Sequence, residues 1–268
     1  MAVTTLQIAV RPRSYVSVNG PDAASYLNRM VSNEVEALDV GGSCEALLLT
    51  AKARIIAPLV VSRRGHDDFL LLTEPEAGER VARELVRSRF AAKCEIAVEE
   101  HRSVVVLGAG EVGGLPTRDY GVPAVELIDA QPPAGAVAIG EDELERLRIR
   151  ARTPRLGREL DDRVMPAEAG LDERAISFTK GCYPGQEPVA RLHYRGHPNR
   201  GLRILAVEGV ELPGYDAELT LDGKVVGRVT SAVRDPDHGV VALAYVRREV
   251  PPDATLSLGD REAHQLPS

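Results

Sequence analysis

Residues 180–191 read Lys-Gly-Cys-Tyr-Pro-Gly-Gln-Glu-Pro-Val-Ala-Arg and put one thiol where it could do chemistry. Gly181 and Gly185 bracket Cys182, and a residue without a Cβ permits unusual backbone angles and close approach of a ligand. Pro188 suits the first turn of a helix running to about Gly196. Cys182 therefore falls in a loop just before a helix N-terminus, with Lys180 and Arg191 as neighbouring cations. Positive surroundings lower a thiol's pKa and raise the fraction present as the nucleophilic thiolate. The same residues also describe a tight connecting loop with a bystander cysteine, and their chemistry alone leaves both readings open.

Other patterns carry less. Gly108-Ala-Gly110-Glu-Val-Gly113 follows the apolar run Val104–Leu107, with Asp129 about 20 residues on, as in a dinucleotide site. Such a site needs its third glycine to open a helix, whose N-terminus holds the pyrophosphate. Gly114, Pro116, Gly121 and Pro123 leave no room for that helix, so a glycine-rich turn is predicted. His193 and His197 have the i, i+4 spacing of some zinc helices, but Gly196 lies between them and no acid accompanies them; no metal site is predicted. Cys44 and Cys94 adjoin apolar segments and read as buried, inert thiols.

The chain has 268 residues, 44% of them hydrophobic but only 4% aromatic, with no Trp, so aliphatic side chains must fill its core. Its formal charge is 33 − 40 = −7, a poor basis for general polyanion binding, and no direct nucleic-acid contact is expected. The charge is uneven: residues 146–158 hold Arg146, Arg148, Arg150, Arg152, Arg155 and Arg158 and no acid, which suits either a solvated helix face or a small anionic ligand. Three widely spaced cysteines give no disulfide framework and fit a reducing compartment. There is no signal-peptide pattern and no apolar run of about 18 residues, so a cytoplasmic chain with no membrane contact is expected.

The elements that must position these residues alternate in type. Residues 5–18 read as one strand, followed by a helix from Pro21 to about Val31. Strands are predicted at 45–50, 54–62 and 68–72. Thr73 and Glu76 have capping-box spacing for a helix reaching about Phe90. Strands at 94–99, 102–107 and 124–128 follow, then a helix from about Glu141 that stops before Pro154. Residues 155–187 read as largely irregular. From about residue 200 the pattern turns to short β segments, with Asp222-Gly223 as a type I′ hairpin signal. The expected fold class is α+β: ferredoxin-like α+β layers in region 1–199, which carries two intertwined subdomains, and a small antiparallel β-barrel in region 200–268.

Lys180-Gly181-Cys182-Tyr183, with Gly185-Gln186-Glu187 and Arg191, resembles the signature K-G-C-[YF]-x-G-Q-E-x-x-x-R of the YgfZ family of folate-binding proteins. Further segments are similar to that family and to the glycine-cleavage T-protein: Asn19-Gly20-Pro21-Asp22-Ala23-Ala24 with Leu27, Leu147-Arg148-Ile149, Pro166-Ala167-Glu168-Ala169-Gly170-Leu171, and Gly227-Arg228-Val229-Thr230-Ser231. The resemblance implies an aminomethyltransferase-like fold: small domains around a central channel that holds tetrahydrofolate. It also implies a role in assembling or repairing iron–sulfur clusters in client proteins, with Cys182 as the functional thiol. Cofactor contacts are implied for Lys180, Gly181, Tyr183, Gln186, Glu187 and Arg191. Arg118, Tyr120, Gly121 and Glu126-Leu127 resemble the T-protein segment whose glutamate binds the pterin, which adds Glu126. A carboxylate suits that ring because it accepts two parallel N–H bonds; a strand glutamate facing solvent is the ordinary alternative.

The resemblance breaks at one place. T-proteins carry an Asp-Asp pair, and the matching stretch here, Ala53-Arg54-Ile55-Ile56-Ala57-Pro58-Leu59, has Ala57 and Pro58 at the acid positions. Aminomethyl transfer needs a carboxylate beside the folate nitrogen and the incoming amine. Glycine-cleavage activity is therefore not expected. Three functions compete: a folate-dependent accessory factor for iron–sulfur proteins, a different folate-dependent one-carbon transferase, and a non-catalytic module that docks clients through loop 180–191.

Overall fold

The computed structural model describes residues 5–108 and 112–267. In chain order it contains β1 (Gln7–Val10), β2 (Ser14–Asn19), α1 (Ala23–Met30), β3 (Ser43–Leu49), β4 (Ile55–Gly65), β5 (Asp68–Thr73), α2 (Gly78–Ser88), β6 (Glu95–Glu99), β7 (Ser103–Leu107), β8 (Leu115–Thr117), β9 (Ala124–Ile128), β10 (Val137–Ala138) and α3 (Glu141–Arg150). A 3-10 turn (Pro166–Ala169), α4 (Asp172–Ala175) and α5 (Gln186–Arg195) follow, and then β11 (Arg200–Val207), β12 (Glu218–Leu221), β13 (Lys224–Asp235), β14 (Gly239–Arg247), β15 (Thr255–Leu258) and β16 (Arg261–Leu266). The middle of the predicted glycine-rich turn, residues 109–111, lies outside the described residues.

The strands form two five-stranded sheets, ordered β3-β4-β5-β2-β6 and β10-β1-β7-β9-β8, and a closed barrel ordered β11-β14-β13-β12-β15-β16. The α+β class and the terminal antiparallel barrel are as expected. The single strand expected over 5–18 is instead two. Arg11-Pro12-Arg13 interrupts it, and Pro12 has no N–H to give a ladder. The chain leaves the second sheet after Val10 and joins the first at Ser14. This short linker sets Arg11 and Arg13 at the junction of the two sheets.

Alternation along β2 explains the packing. Val16 and Val18 face α1 and α2 and bury with Leu27, Phe69, Val81 and Leu85. Tyr15 points the other way, with Leu70 and Leu72, against Leu115 and Ile128 of the second sheet. The capping box expected at Thr73 does not form. The Thr73 hydroxyl donates instead to the Pro58 carbonyl at 2.7 Å, and α2 starts only at Gly78. The barrel fills its interior with Val207, Val240, Ala242, Ala244 and Val246. The opposite face of its strands packs Leu202, Ile204, Leu243 and Tyr245 against segment 149–189. Asp222 and Gly223 both have positive φ, 51° and 75°, as a type I′ hairpin demands. No helix among the described residues is long and apolar enough to cross a membrane.

Candidate functional site

Segment 177–185 is held against the connection between α1 and β3, where Ser177 N donates to the Ser32 carbonyl. Lys180 is buried, and its ammonium donates to the carbonyls of Val31 at 2.9 Å and Asn33 at 2.6 Å. Burial pulls its pKa down to about 8. Its Nζ also lies 5.6 Å from the centroid of the buried Tyr183 ring. Gly185 caps α5 at φ 84°, and a Cβ there would come within 2.6 Å of the Thr50 carbonyl oxygen. Lys180, Tyr183 and Gly185 thus anchor the loop, while Gly181 and Cys182 stand exposed at its tip. Lys180, expected to be a cation for the thiolate, has turned its charge inward to carbonyl oxygens. On α5, Glu187 and Arg191 are exposed and Gln186 half-buried, and their side chains make no hydrogen bond among the described residues. Cys94 is buried as expected; Cys44 is half-buried, with burial pushing its thiol up to about 12.

A cavity of about 610 Å³ lies where the two sheets, α3 and the barrel meet. The junction Val10–Pro12, the turn Glu74–Glu76, Asp119-Tyr120, the inner side of α3, residues 153–158 and the barrel segments 212–215 and 229–232 wall it. Its cations include Arg155 and Arg158, and the Arg158 guanidinium lies 5.7 Å from the centroid of Tyr215. Glu74 is half-buried, and its carboxylate makes no hydrogen bond or ion pair among the described residues. Two polar atoms of wall residues, Arg11 Nη1 and Thr153 Oγ1, are buried without a hydrogen-bond partner. Arg11 Nη1 still faces Glu126 Oε2 at 3.5 Å, so of the two only Thr153 Oγ1 is left bare, at the cost such an atom carries.

Of the residues expected to contact a cofactor, Glu126, Lys180, Gly181, Tyr183, Gln186, Glu187 and Arg191 do not line this cavity, whereas the basic segment 146–158 does, through Arg148, Arg155 and Arg158. Glu126 is the clearest correction. It is neither exposed on its strand nor open to a ligand edge. It is 2% exposed, and Arg13 grips it in bidentate fashion, Nε to Oε1 at 3.0 Å and Nη2 to Oε2 at 2.9 Å. The Ser103 hydroxyl donates to Oε1 as well, and Arg11 stands 3.5 Å from Oε2. Burial would raise the Glu126 pKa, but Arg13 and Arg11 outweigh it and bring it down to about 2. The ionic chain continues from Arg11 to Asp119 at 2.5 Å, from Asp119 to Arg174 at 2.5 Å, and from Arg174 to Glu45. It ties both sheets to α4.

The basic run is also largely spent inside the fold. Arg146 pairs with Glu143, Arg148 with Glu145 and the buried Glu159, and Arg150 with Asp235. Arg155 and Arg158 keep charge for the cavity: Arg155 meets only Glu145, at 3.7 Å, and Arg158 makes no ion pair among the described residues. Ala57 is buried in the first sheet's core. Pro58 lies opposite Leu47 in the ladder, and neither residue borders the cavity. Sequence reasoning missed Arg11, Glu74, Thr153 and Tyr215, which come from four separate segments with no local signature.

The likeness to known proteins agrees with this geometry. The family model described as GCVT N-terminal domain matches residues 9–109. The chain is 29% identical to a tRNA-modifying protein YgfZ from Edwardsiella ictaluri, with 94% of this chain and 87% of that one covered. It is 27% identical to an aminomethyltransferase from Streptomyces avermitilis, with 93% and 81% covered. A crystal structure of glycine cleavage system aminomethyltransferase T from Bartonella henselae superposes with a TM-score of 0.84 at 19% identity, covering 98% of this chain and 85% of that one. The chain thus has the aminomethyltransferase fold and resembles both YgfZ and aminomethyltransferase relatives along most of its length. The cavity lies where the two sheets and the barrel meet, and loop 180–191 lies outside its wall.

Proposed function

We propose that the chain binds tetrahydrofolate in the central cavity and supports iron–sulfur cluster assembly or repair in client enzymes, with Cys182 as the thiol offered to the client. The observation that carries the folate reading is the cavity's donor set. Its volume suits a ligand of that size. Glu74 is a carboxylate free to accept from an amino-pyrimidine edge, and Arg155 and Arg158 are guanidiniums free to pair with the glutamate carboxylates. Tetrahydrofolate, when bound, would supply one-carbon or redox chemistry; the chain's own contribution is to hold the ring and the tail.

Glu126 is then a strut rather than a ligand: it fixes Arg13 and Arg11, and Arg11 borders the cavity. The exposure of Cys182, on a loop pinned by Lys180 and Tyr183, supports contact with a partner rather than with the folate. The Edwardsiella relative is named for tRNA modification. With a net charge of −7, a route through a modifying enzyme suits this chain better than direct tRNA contact. Ala57 and Pro58 argue against glycine cleavage, since neither can hold a proton for the amine.

Calorimetric titration of tetrahydrofolate into the wild type, Glu74→Gln, Arg158→Gln and Cys182→Ser tests the reading. Saturable heat is expected for the wild type and Cys182→Ser, with weaker binding in the other two. No heat with the wild type would remove the proposal. Iron–sulfur enzyme activity in cells should fall with Cys182→Ser although folate binding is kept; unchanged activity would leave folate binding without the thiol role.

A further inference from the structure

Away from the central cavity, the outer face of the barrel gathers a second set of side chains with ligand chemistry. β16 runs between β11 and β15, and His264 stands opposite Ala206 on one side and Thr255 on the other. The pairing continues one residue past the end of β11, where the Glu208 N–H donates to the Glu262 carbonyl at 3.0 Å. Glu208 therefore stands across from Glu262, and His264 is two residues from Glu262, so the three side chains share one face. The neighbour of His264 on β11 is only an alanine, which puts no bulk between the ring and Glu208. One oxygen from each carboxylate and one ring nitrogen all lie within 4.8 Å of one another. Glu208 and Glu262 are 54 residues apart in sequence, so no spacing pattern announces the group. None of these residues lines the central cavity.

Two carboxylates placed opposite each other in an antiparallel pair repel. Neither meets a lysine or arginine in an ion pair among the described residues; Glu262 Oε2 has His264 Nε2 at 3.6 Å. Glu208 Oε2 is held over β16 by the Glu262 N–H, at 3.4 Å. The nearby Arg261 guanidinium is turned to backbone, donating to the carbonyls of Glu211 at 2.7 Å and Glu208 at 3.5 Å. The histidine separates this group from a bare acidic pair. Its other ring nitrogen, Nδ1, meets the Thr255 hydroxyl at 3.2 Å. With the Nδ1 proton given to Thr255, Nε2 presents its lone pair toward Glu262, the arrangement that metal-ligating histidines take. Around a tetrahedral ion with bonds of about 2.1 Å, donor atoms stand about 3.4 Å apart. The Nε2 to Oε2 separation already matches that spacing.

We propose that Glu208, Glu262 and His264 form an open binding site for a divalent cation of the zinc class, with water completing its shell. Imidazole and carboxylate donors together suit zinc, and three protein ligands leave the open position of a non-structural zinc site. Thr255 is a positioning residue that acts through the His264 ring. The site does not depend on the central cavity being filled. The test is titration of the full chain with zinc, followed through proton–nitrogen correlation spectra of its six histidine rings and, for affinity, by calorimetry. The first equivalent of zinc should shift Nε2 of His264 while Nδ1 keeps its proton. Glu208→Gln and Thr255→Val should each weaken binding at this ring about tenfold. Both positions are exposed, so both variants should fold as the wild type does. Zinc that leaves the His264 ring unmoved, or that binds there equally well in both variants, would overturn the proposal.

Discussion

Replacing Glu126 by Gln removes one negative charge from between Arg13 and Arg11 and leaves the Arg13 guanidinium, 5% exposed, without its carboxylate. Breaking a buried pair by taking away one partner costs about 3–5 kcal/mol, because the other charge stays buried and unpaired. For a chain of this size, with about 2–4 °C per kcal/mol, the melting temperature should fall by roughly 10 °C. The pH dependence should change as well. The Glu126 pKa is depressed to about 2. The stability it contributes is therefore fully present above the unfolded-state value near ~4.3 and is lost as pH falls through about 2. Thermal melts followed by circular dichroism between neutral pH and pH 3 should show the variant starting lower and losing less on acidification. The double replacement Arg13→Met with Glu126→Leu, which removes both charges, should recover most of the loss. A Glu126→Gln protein that melts with the wild type, yet no longer binds tetrahydrofolate, would refute the strut assignment and return Glu126 to the ligand.

Other outcomes follow from the same contacts. Gly185→Ala places a Cβ 2.6 Å from the Thr50 carbonyl oxygen at φ 84° and should cost about 2 kcal/mol or more in urea denaturation. His101 donates to Asp129 at 2.6 Å and Glu99 at 2.8 Å; burial opposes its charge, but these bonds prevail and raise its pKa. Its contribution should be complete below about pH 6.5 and disappear as pH rises through the higher folded value, and His101→Gln should lack that alkaline loss. Lys180, lowered to about 8 by burial, binds its proton more weakly folded than unfolded. Stability should therefore rise through this group between about pH 8 and 10.4, and Lys180→Met should remove the rise.

Much of the architecture was legible because its signals are local. The continuous apolar run of β14 and the Asp222-Gly223 pair specify their strand and turn within a few residues. Pro12 misled because its effect depends on the sheets it separates, which a strand-length apolar run does not disclose. The thiol loop was found by its glycines and Pro188, but the direction of Lys180 depended on the carbonyls of Val31 and Asn33, far away in sequence. Glu126 read as exposed or ligand-facing for a related reason. Its partner Arg13 lies 113 residues away, and no spacing rule joins them. The cavity is the extreme case: Arg11, Glu74, Thr153 and Tyr215 come together only once both sheets, the linker and the barrel have packed.

A crystal structure of the chain with tetrahydrofolate tests the central claim most directly. The ligand should lie in the central cavity, its ring edge on Glu74 and its glutamate carboxylates on Arg155 and Arg158. Ligand density against loop 180–191 with the central cavity empty would contradict the account.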